Sequence, residues 1–285
     1  MRLVQALIHM HFLLALAAGA QRWWMGQFGL STDRQGIIGV SAAVIAAYGY
    51  LRLVRTSGPA LLPPGQLRWV REHRRSMMVL VLLSGLLSIH LLQDHHLVFG
   101  PWSLLIPLLS MGYLTPNRKG RATGIREIPG SKAVIIALAW AFITCGVTDQ
   151  EPPPGDAEMH CWLAMLQFSY FLSLAITYDI GDLHFDHADL RTAPQLFGVS
   201  GAKWLALLLL LPWCGLLLFS VLVAEHQVRW HFVLALLALG LTGLVITKAK
   251  PYRPRWYFTW LLDGLVAAPP LLAWVGIQLS NGRYF

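Results

Sequence analysis

Long apolar runs alternate with short polar segments over the whole sequence. The runs are roughly 16–22 residues long, and at about 1.5 Å per residue a helix of that length crosses a hydrocarbon core of about 30 Å. The pattern therefore predicts about nine membrane-spanning helices. The predicted spans are residues 3–20, 36–54, 77–93, 97–114, 132–148, 160–178, 203–223, 231–247 and 256–278.

The composition favours a membrane protein over a water-soluble one. Hydrophobic residues make up 56% of the chain and charged residues only 13%, whereas soluble domains carry about 25% charged residues. We therefore expect an all-α, polytopic integral membrane protein in which residues 1–285 form one helical bundle. At the N-terminus a cleaved signal peptide is the alternative to a first span, because Arg2 precedes an apolar run that ends in small residues.

Basic residues fall almost entirely on one side of this predicted topology. If the N-terminus lies on side one, 18 of the 22 Lys and Arg residues lie there too, and only Arg22, Arg34, Arg229 and Arg283 lie on side two. The positive-inside rule then places the N-terminus in the cytoplasm and the C-terminus outside, with the inner membrane of a bacterium as the expected location. Orientation and contact with anionic membrane lipids explain the net charge of +8, so nucleic acid is not an expected partner.

The segment after the sixth predicted span carries the most informative polar pattern. Asp179, Asp182, Asp186 and Asp189 recur at i, i+3, i+7 and i+10, which places them within about 80° of one another on a helix. Like charges at this spacing destabilise a helix, so a bound cation is expected to offset the repulsion. Carboxylate oxygens suit Mg²⁺, which often bridges carboxylates to the phosphates of a substrate. Pairing of the aspartates with basic loops on the same face is the open alternative.

Other polar residues suggest less. Cys145, Cys161 and Cys214 are scattered without metal-ligand spacing, so no disulfide framework or zinc site is expected. The histidines form no i, i+3 or i+4 pair near the membrane centre, so no haem is expected. Asp263 lies inside the last predicted span and is therefore a functional candidate, with Arg253 or Arg255 as the expected partner.

Two segments resemble the UbiA prenyltransferase superfamily. Asp179, Asp182 and Asp186, followed by Thr192, Pro194, Leu196 and Gly198, look like its second aspartate motif. The run from Tyr113 to Arg121 resembles its Tyr-Ser-x-Pro-Pro-x-Arg-x-Lys segment after the fourth span. The resemblance implies a bundle of nine helices with a cytoplasmic active site, in which Mg²⁺ ions on the aspartates bind a prenyl diphosphate. On this reading Asp179, Asp182 and Asp186 are catalytic, and together with Asp189 they are the metal ligands.

The sequence departs from this family at the end of the second span. The family's first aspartate motif belongs there, but residues 47–55 contain no carboxylate and carry Arg52 and Arg55 instead. Either these arginines contact phosphate directly, since a guanidinium group matches phosphate oxygens, or they are orientation signals. A carboxylate from a neighbouring loop is a further substitute, and Glu72 and Glu127 are the candidates.

The resemblance implies a function with two alternatives. The leading one is a Mg²⁺-dependent transferase that moves an isoprenyl group from a prenyl diphosphate to an aromatic or lipid acceptor. The diphosphate would be bound by basic residues: Arg52, Arg55, Arg118, Lys119 and Arg121. The alternative is a non-catalytic isoprenoid- or lipid-binding protein that has kept the fold and lost the first motif. A transporter is a third option, although no inverted pair of broken helices is evident.

Overall fold

A computed structural model describes most of the chain. Secondary structure is described for residues 11–55, 64–98, 108, 112–113, 115–116, 122–123, 125, 128–150, 157–224, 226–254 and 256–280. Arg118, Lys119, Arg121 and most of the predicted span 97–114 lie outside these residues. The same holds for the first part of the predicted span 3–20.

Ten helices make up nearly all of the described structure. They are α1 (Phe12–Gly26), α2 (Arg34–Arg55), α3 (Pro64–Glu72), α4 (Arg74–Leu92), α5 (Ser131–Cys145), α6 (Ala157–Asp182), α7 (Ala193–Leu208), α8 (Leu211–Val223), α9 (His226–Lys248) and α10 (Asp263–Ser280). A π-helical turn, Tyr257–Leu262, leads into α10, and a 3-10 turn, Ala188–Leu190, precedes α7. The expected all-α class is confirmed.

Two very short antiparallel ladders join loops between the helices. The strands are β1 (His96–Leu97), β2 (Thr115–Pro116), β3 (Ala122–Thr123) and β4 (Val147–Thr148). In the first ladder His96 pairs with Thr148, and in the second Thr115 pairs with Thr123. The first ladder ties the end of α4 to the end of α5 at the end of the bundle remote from the aspartates.

In the described part of the chain, six helical segments are long and apolar enough to cross a membrane. They are Arg34–Val54, Arg74–Leu92, Glu158–Asp182, Ala193–Val223, Arg229–Lys248 and Tyr257–Ser280, and α5 is a shorter apolar helix. Large apolar side chains on their outer faces are exposed; Leu82 and Ile89 of α4 are 63% and 68% exposed. A surface of this kind is stable against lipid and not against water.

Small residues allow the helices to approach closely in the core. α2 packs on α4, α9 on α10, α5 on α6, and α1 on both α2 and α10. Alanines occupy many of the fully buried positions: Ala17, Ala18, Ala137, Ala202, Ala206, Ala235, Ala238 and Ala273. Small residues at helix crossings are typical of bundles in lipid, where close van der Waals contact replaces the hydrophobic effect as the source of association.

The first helix differs from its predicted bounds at its C-terminal end. It was expected to end near residue 20, but α1 continues through the polar residues Gln21 and Arg22 to Gly26. Arg22 is fully buried and donates from Nη1 to the carbonyl oxygen of Thr144 at 3.2 Å and from Nη2 to that of Ser31 at 2.9 Å. These carbonyl oxygens satisfy the guanidinium group and let the helix continue past it.

The segment after the aspartates also differs from the prediction. A span was expected from residue 203, but α7 begins at Ala193, directly after the loop. Pro194 lies in the first turn of α7, where its missing N–H costs nothing, and the Thr192 N–H donates to Gln195 Oε1 at 2.9 Å. Gly198, with φ +69°, kinks the helix. The Thr-x-Pro and Leu-x-Gly residues therefore build the start of a helix.

Candidate functional site

The aspartate pattern converges on a single lysine. Lys132 is the second residue of α5, and its Nζ lies 2.9 Å from Asp179 Oδ1, 2.9 Å from Asp182 Oδ2 and 2.6 Å from Asp186 Oδ2. The contacts to Asp182 and Asp186 are hydrogen bonds, whereas Asp179 Oδ1 is within ion-pair distance without hydrogen-bond alignment. We call these four residues the lysine–aspartate cluster.

This cluster is mostly shielded from solvent. The side chains of Lys132, Asp179 and Asp186 are 6%, 2% and 3% exposed, whereas that of Asp182 is 41% exposed. A buried ammonium group surrounded by carboxylates interacts far more strongly than an ion pair at a surface. Asp182 is the member through which a ligand would reach the cluster.

Loop contacts fix the lysine and the aspartates relative to each other. The N–H of Gly130, which has φ +75°, donates to the carbonyl oxygen of Leu190 at 2.8 Å. Gln195 Nε2 donates to the carbonyl oxygens of Asp186 at 3.3 Å and His187 at 3.1 Å. The segment before α5 is thereby held against the loop that carries Asp186.

The glycine between Asp179 and Asp182 allows a close approach to the last membrane helix. A Cβ atom at Gly181 would lie 2.8 Å from the ring of Phe258, in the π-helical turn before α10. Only glycine therefore fits here without a shift of the aromatic ring. This contact brings the end of α6 and its carboxylates next to the start of α10.

A second polar cluster lies beside the first one. The hydroxyl of Tyr178 donates to Asp263 Oδ1, and Arg52 interacts electrostatically with the same carboxylate. The expected partners of Asp263 were Arg253 or Arg255. Arg253 instead lies over the ring of Tyr257, with 5.6 Å between its Cζ and the ring centroid, and Arg255 lies outside the described residues.

An aromatic layer lies about two helical turns deeper in the bundle. Trp140 stacks on Phe171 with ring centroids 4.8 Å apart, and Trp140 Nε1 donates to the Tyr48 hydroxyl at 3.0 Å. Trp140 follows Lys132 by eight residues on α5, and Phe171 precedes Asp179 by eight residues on α6. Eight residues correspond to about 12 Å along a helix. These rings form an apolar wall beneath the two polar clusters.

The predicted metal ligands divide into two groups. Asp179, Asp182 and Asp186 surround Lys132, whereas the side chain of Asp189 is 89% exposed and pairs with His187 at 3.1 Å. Within the part of the chain that the structure describes, no group of three or more His, Cys, Asp or Glu residues is arranged to hold a metal ion. The oxygen ligands suit Mg²⁺ chemically, but the Lys132 ammonium lies where a shared metal ion would have to bind. The arrangement therefore does not fit a metal ion unless the lysine is displaced.

The predicted diphosphate ligands are only partly located. Arg52 lies at the aspartate end of α2, within electrostatic reach of Asp263. Arg55 is the last residue of α2, and its side chain lies outside the described part, as do Arg118, Lys119 and Arg121. Their roles stay predictions.

Sequence reasoning did not single out two residues of the site. Lys132 was grouped with the basic loop residues, although pairing of the aspartates with basic loops was an open alternative. One signal was available, since Lys132 falls at the beginning of an apolar run, where a charge must be buried or paired. Tyr178 precedes Asp179 directly and looks like an ordinary interfacial tyrosine in the sequence.

Comparison with solved structures shows the fold. The apo structure of a UbiA homolog from Aeropyrum pernix K1 matches with a TM-score of 0.61 and 14% identity over 95% of this chain and 98% of the other. A UbiA homolog from Archaeoglobus fulgidus bound to GPP and Mg²⁺ matches with a TM-score of 0.61 and 17% identity over 97% of this chain and 98% of the other. A UbiA homolog from Archaeoglobus fulgidus bound to DMAPP and Mg²⁺ matches with a TM-score of 0.58 and 15% identity over 98% of each chain.

These matches settle the architecture. No protein-family model matches the sequence, and no curated protein matches it. The chain has the fold of the UbiA prenyltransferase superfamily, and it is an integral membrane protein. The resemblance drawn from the two sequence segments is thus confirmed at the level of the fold.

Proposed function

We propose that this protein is an intramembrane prenyltransferase, which transfers an isoprenyl group from a prenyl diphosphate to an aromatic or lipid acceptor. One observation carries the proposal: the lysine–aspartate cluster and the cluster of Tyr178, Asp263 and Arg52 lie side by side at one end of the bundle, about two helical turns from an aromatic layer. Solved proteins of the same fold bind GPP or DMAPP together with Mg²⁺. A fold alone does not specify a reaction, so the polar clusters and the aromatic layer provide the support.

The proposed reaction breaks the bond between the allylic carbon and the diphosphate oxygen. The diphosphate leaves as an anion that guanidinium groups at this end, Arg52 among them, would bind. The allylic cation would lie against Tyr48, Trp140 and Phe171, because aromatic faces attract cations. A new bond then forms to a nucleophilic atom of the acceptor, and the proton that this atom loses would pass to the carboxylate of Asp263, which Tyr178 positions.

The proposed orientation follows from the charge distribution. The aspartate end would face the cytoplasm of a bacterium, where soluble prenyl diphosphates are available, because the basic loops cluster at this end. The isoprenyl chain and the acceptor would enter from the lipid side.

Binding of a prenyl diphosphate to the purified protein is the first test. GPP is expected to raise the apparent melting temperature, since a ligand of the native state stabilises it, whereas geraniol and inorganic diphosphate should each have a smaller effect. Each measurement is made with Mg²⁺ and with EDTA, so that the family's dependence on Mg²⁺ is tested for this chain. An absence of stabilisation by GPP under both conditions contradicts the proposal.

A second candidate function is non-catalytic binding of an isoprenoid. Two observations favour it: Lys132 already neutralises part of the aspartate charge, and Arg52 and Arg55 stand where the family has carboxylates. Incubation with radiolabelled GPP and a total lipid extract separates the two functions. Release of diphosphate together with a labelled lipophilic product supports the transferase, whereas binding without release supports the second candidate.

A further inference from the structure

The position of Lys132 is unfavourable unless carboxylates surround it. It lies in the first turn of α5, where the helix dipole repels a positive charge, and it is 95% buried. An ammonium group has three N–H donors, and three carboxylate groups lie within 2.9 Å of Nζ. The aspartates therefore make up for both the burial and the dipole.

The same geometry works against a divalent ion at this place. Mg²⁺ binds carboxylate oxygens at about 2.0–2.1 Å, and the oxygens that would hold it lie 2.6–2.9 Å from the ammonium nitrogen. A Mg²⁺ ion between these oxygens would overlap with the ammonium group, and the two positive charges would repel each other at contact distance. Occupation by the metal requires the lysine to leave.

We infer that the Lys132 ammonium is the permanent counterion of Asp179, Asp182 and Asp186 and takes the place of a divalent metal ion on them. The lysine–aspartate cluster is then a fixed ionic centre that binds no Mg²⁺. Removal of the lysine charge leaves three carboxylates, each with an oxygen 2.6–2.9 Å from the former Nζ position, without their counterion. Rotation of these side chains toward one another would then form a site for a divalent ion.

This inference has a consequence that rests on the proposed function. If the protein binds a prenyl diphosphate, the diphosphate is held without a metal bridge to these aspartates. The negative charge of the diphosphate is then met by basic side chains such as Arg52, whose guanidinium group matches phosphate oxygens.

Manganese binding tests the metal-free state of the cluster directly. Mn²⁺ replaces Mg²⁺ at oxygen sites and is visible by electron paramagnetic resonance. The variant Lys132→Met is expected to bind one Mn²⁺ at least tenfold more tightly than the parent, and Mg²⁺ should displace it. Lys203→Met is the matched control, because Lys203 also lies in a helix and donates to the carbonyl oxygen of Thr247 at 2.9 Å.

Further variants locate the gained site and guard against misfolding. Asp182→Asn in the Lys132→Met background is expected to weaken Mn²⁺ binding again. Lys132→Gln, whose amide keeps hydrogen-bond donors without the charge, repeats the test if Lys132→Met does not fold. Saturable Mn²⁺ binding by the parent that Asp182→Asn abolishes overturns the inference, as does the absence of any gain in the folded lysine variant.

Binding of a non-reactive GPP analogue completes the test. The analogue keeps the charged diphosphate, but its bond to the allylic carbon does not break. The affinity of the parent for this analogue is expected to differ by less than about a factor of two between EDTA and millimolar Mg²⁺. A requirement for Mg²⁺ in the parent overturns the inference while leaving the proposed function intact. If the analogue binds under neither condition, the proposed function fails, and the Mn²⁺ measurements still decide the inference about Lys132.

Discussion

Buried charges at the aspartate end of the bundle depend on one another. Lys132 contacts three carboxylates, and Asp263 contacts Tyr178 and lies within electrostatic reach of Arg52. Removing one member of such a group leaves its partners without full compensation in a region of low dielectric constant. Single substitutions here are therefore expected to act according to the burial of the residue that is changed.

Asp186 and Asp182 both accept a hydrogen bond from Lys132 but differ in their exposure to solvent. Asp186→Asn is expected to lower the free energy of unfolding by about 1.5–3 kcal/mol, because it removes a charged hydrogen-bond partner of a buried lysine. Asp182→Asn should cost less, because the Asp182 side chain is 41% exposed, against 3% for Asp186. Thermal unfolding in detergent measures both, and a larger loss for Asp182→Asn would contradict the described burial.

Arg52 is the basic residue whose role is easiest to isolate. Arg52→Lys keeps the charge and the orientation signal but loses the planar, two-pronged donor arrangement, so the affinity for GPP is expected to fall several-fold. Arg68→Lys is the matched control, because Arg68 is 83% exposed and pairs with Glu72 on its own helix. Equal affinity in both variants and the parent would leave Arg52 as an orientation signal only.

Asp33, at the opposite end of the bundle, gives a pH dependence. Burial raises the pKa of Asp33, but the Gly36 N–H and then the hydrogen bond and charge of His95 together lower that pKa by more, so that it lies below its usual 3.8. A carboxyl group with a pKa lowered by folding stabilises the fold above its unfolded pKa, and this contribution is lost as the pH falls through the folded pKa.

The change Asp33→Asn should therefore lower the melting temperature near neutral pH. The difference from the parent should shrink as the pH falls below about 3.8, because the unfolded parent chain then binds a proton that the folded parent binds only at lower pH. Asp94→Asn, at an exposed position nearby, is the control. A difference that stays constant from pH 7 to pH 3 would show that the charge of Asp33 does not contribute.

At the level of the helices, side chains of neighbouring helices replace the backbone hydrogen bonds that two prolines remove from α10. Pro269 and Pro270 lie inside α10 and cannot donate to the carbonyl oxygens of Leu265 and Val266, four residues earlier. The Tyr170 hydroxyl donates to Leu265 at 2.6 Å, and Gln21 Nε2 donates to Val266 at 2.7 Å. α1 and α6 thereby satisfy polar groups that lipid could not.

This arrangement predicts a coupling between Tyr170 and Pro269. Tyr170→Phe leaves the buried Leu265 carbonyl unpaired and is expected to cost about 1–3 kcal/mol of stability. In a Pro269→Ala background the restored N–H at position 269 satisfies this carbonyl, so the same change should cost much less. Thermal unfolding of the double-mutant cycle measures the coupling. Additive effects would contradict it, and Tyr252→Phe, at an exposed tyrosine, is the control.

Over the whole molecule, the direction of the bundle in the membrane is a separate prediction. Reporters fused near Gln66 or Lys250 should lie inside the cytoplasm, and a reporter after Phe285 should lie outside, because the basic loops stay inside. Two reporters are fused in turn at each site, one active only in the cytoplasm and one active only outside it, and their activities show on which side the site lies. A cytoplasmic C-terminus would contradict the assignment of sides and the predicted number of spans. That residues 1–285 form a single domain stays a prediction.

The sequence by itself predicted the membrane class, the helical architecture and most spans. Each of these depends on the length and polarity of a continuous segment, because a bilayer imposes one thickness and forbids unpaired backbone groups. The last span was expected at residues 256–278 and is observed at Tyr257–Ser280. The aspartate motif was also visible in the sequence, since its members lie close together along the chain.

The partners of these residues were decided by the tertiary structure alone. Lys132 lies 47 residues before Asp179 in the chain, and Asp263 lies 85 residues after Tyr178, so helical spacing carries no information about either contact. The same is true of Arg22, which is charged and yet buried inside a continued helix, because carbonyl oxygens of other segments accept hydrogen bonds from its guanidinium group. A spacing pattern identifies which charges share a face, but only the packing of distant helices determines which opposite charge that face meets.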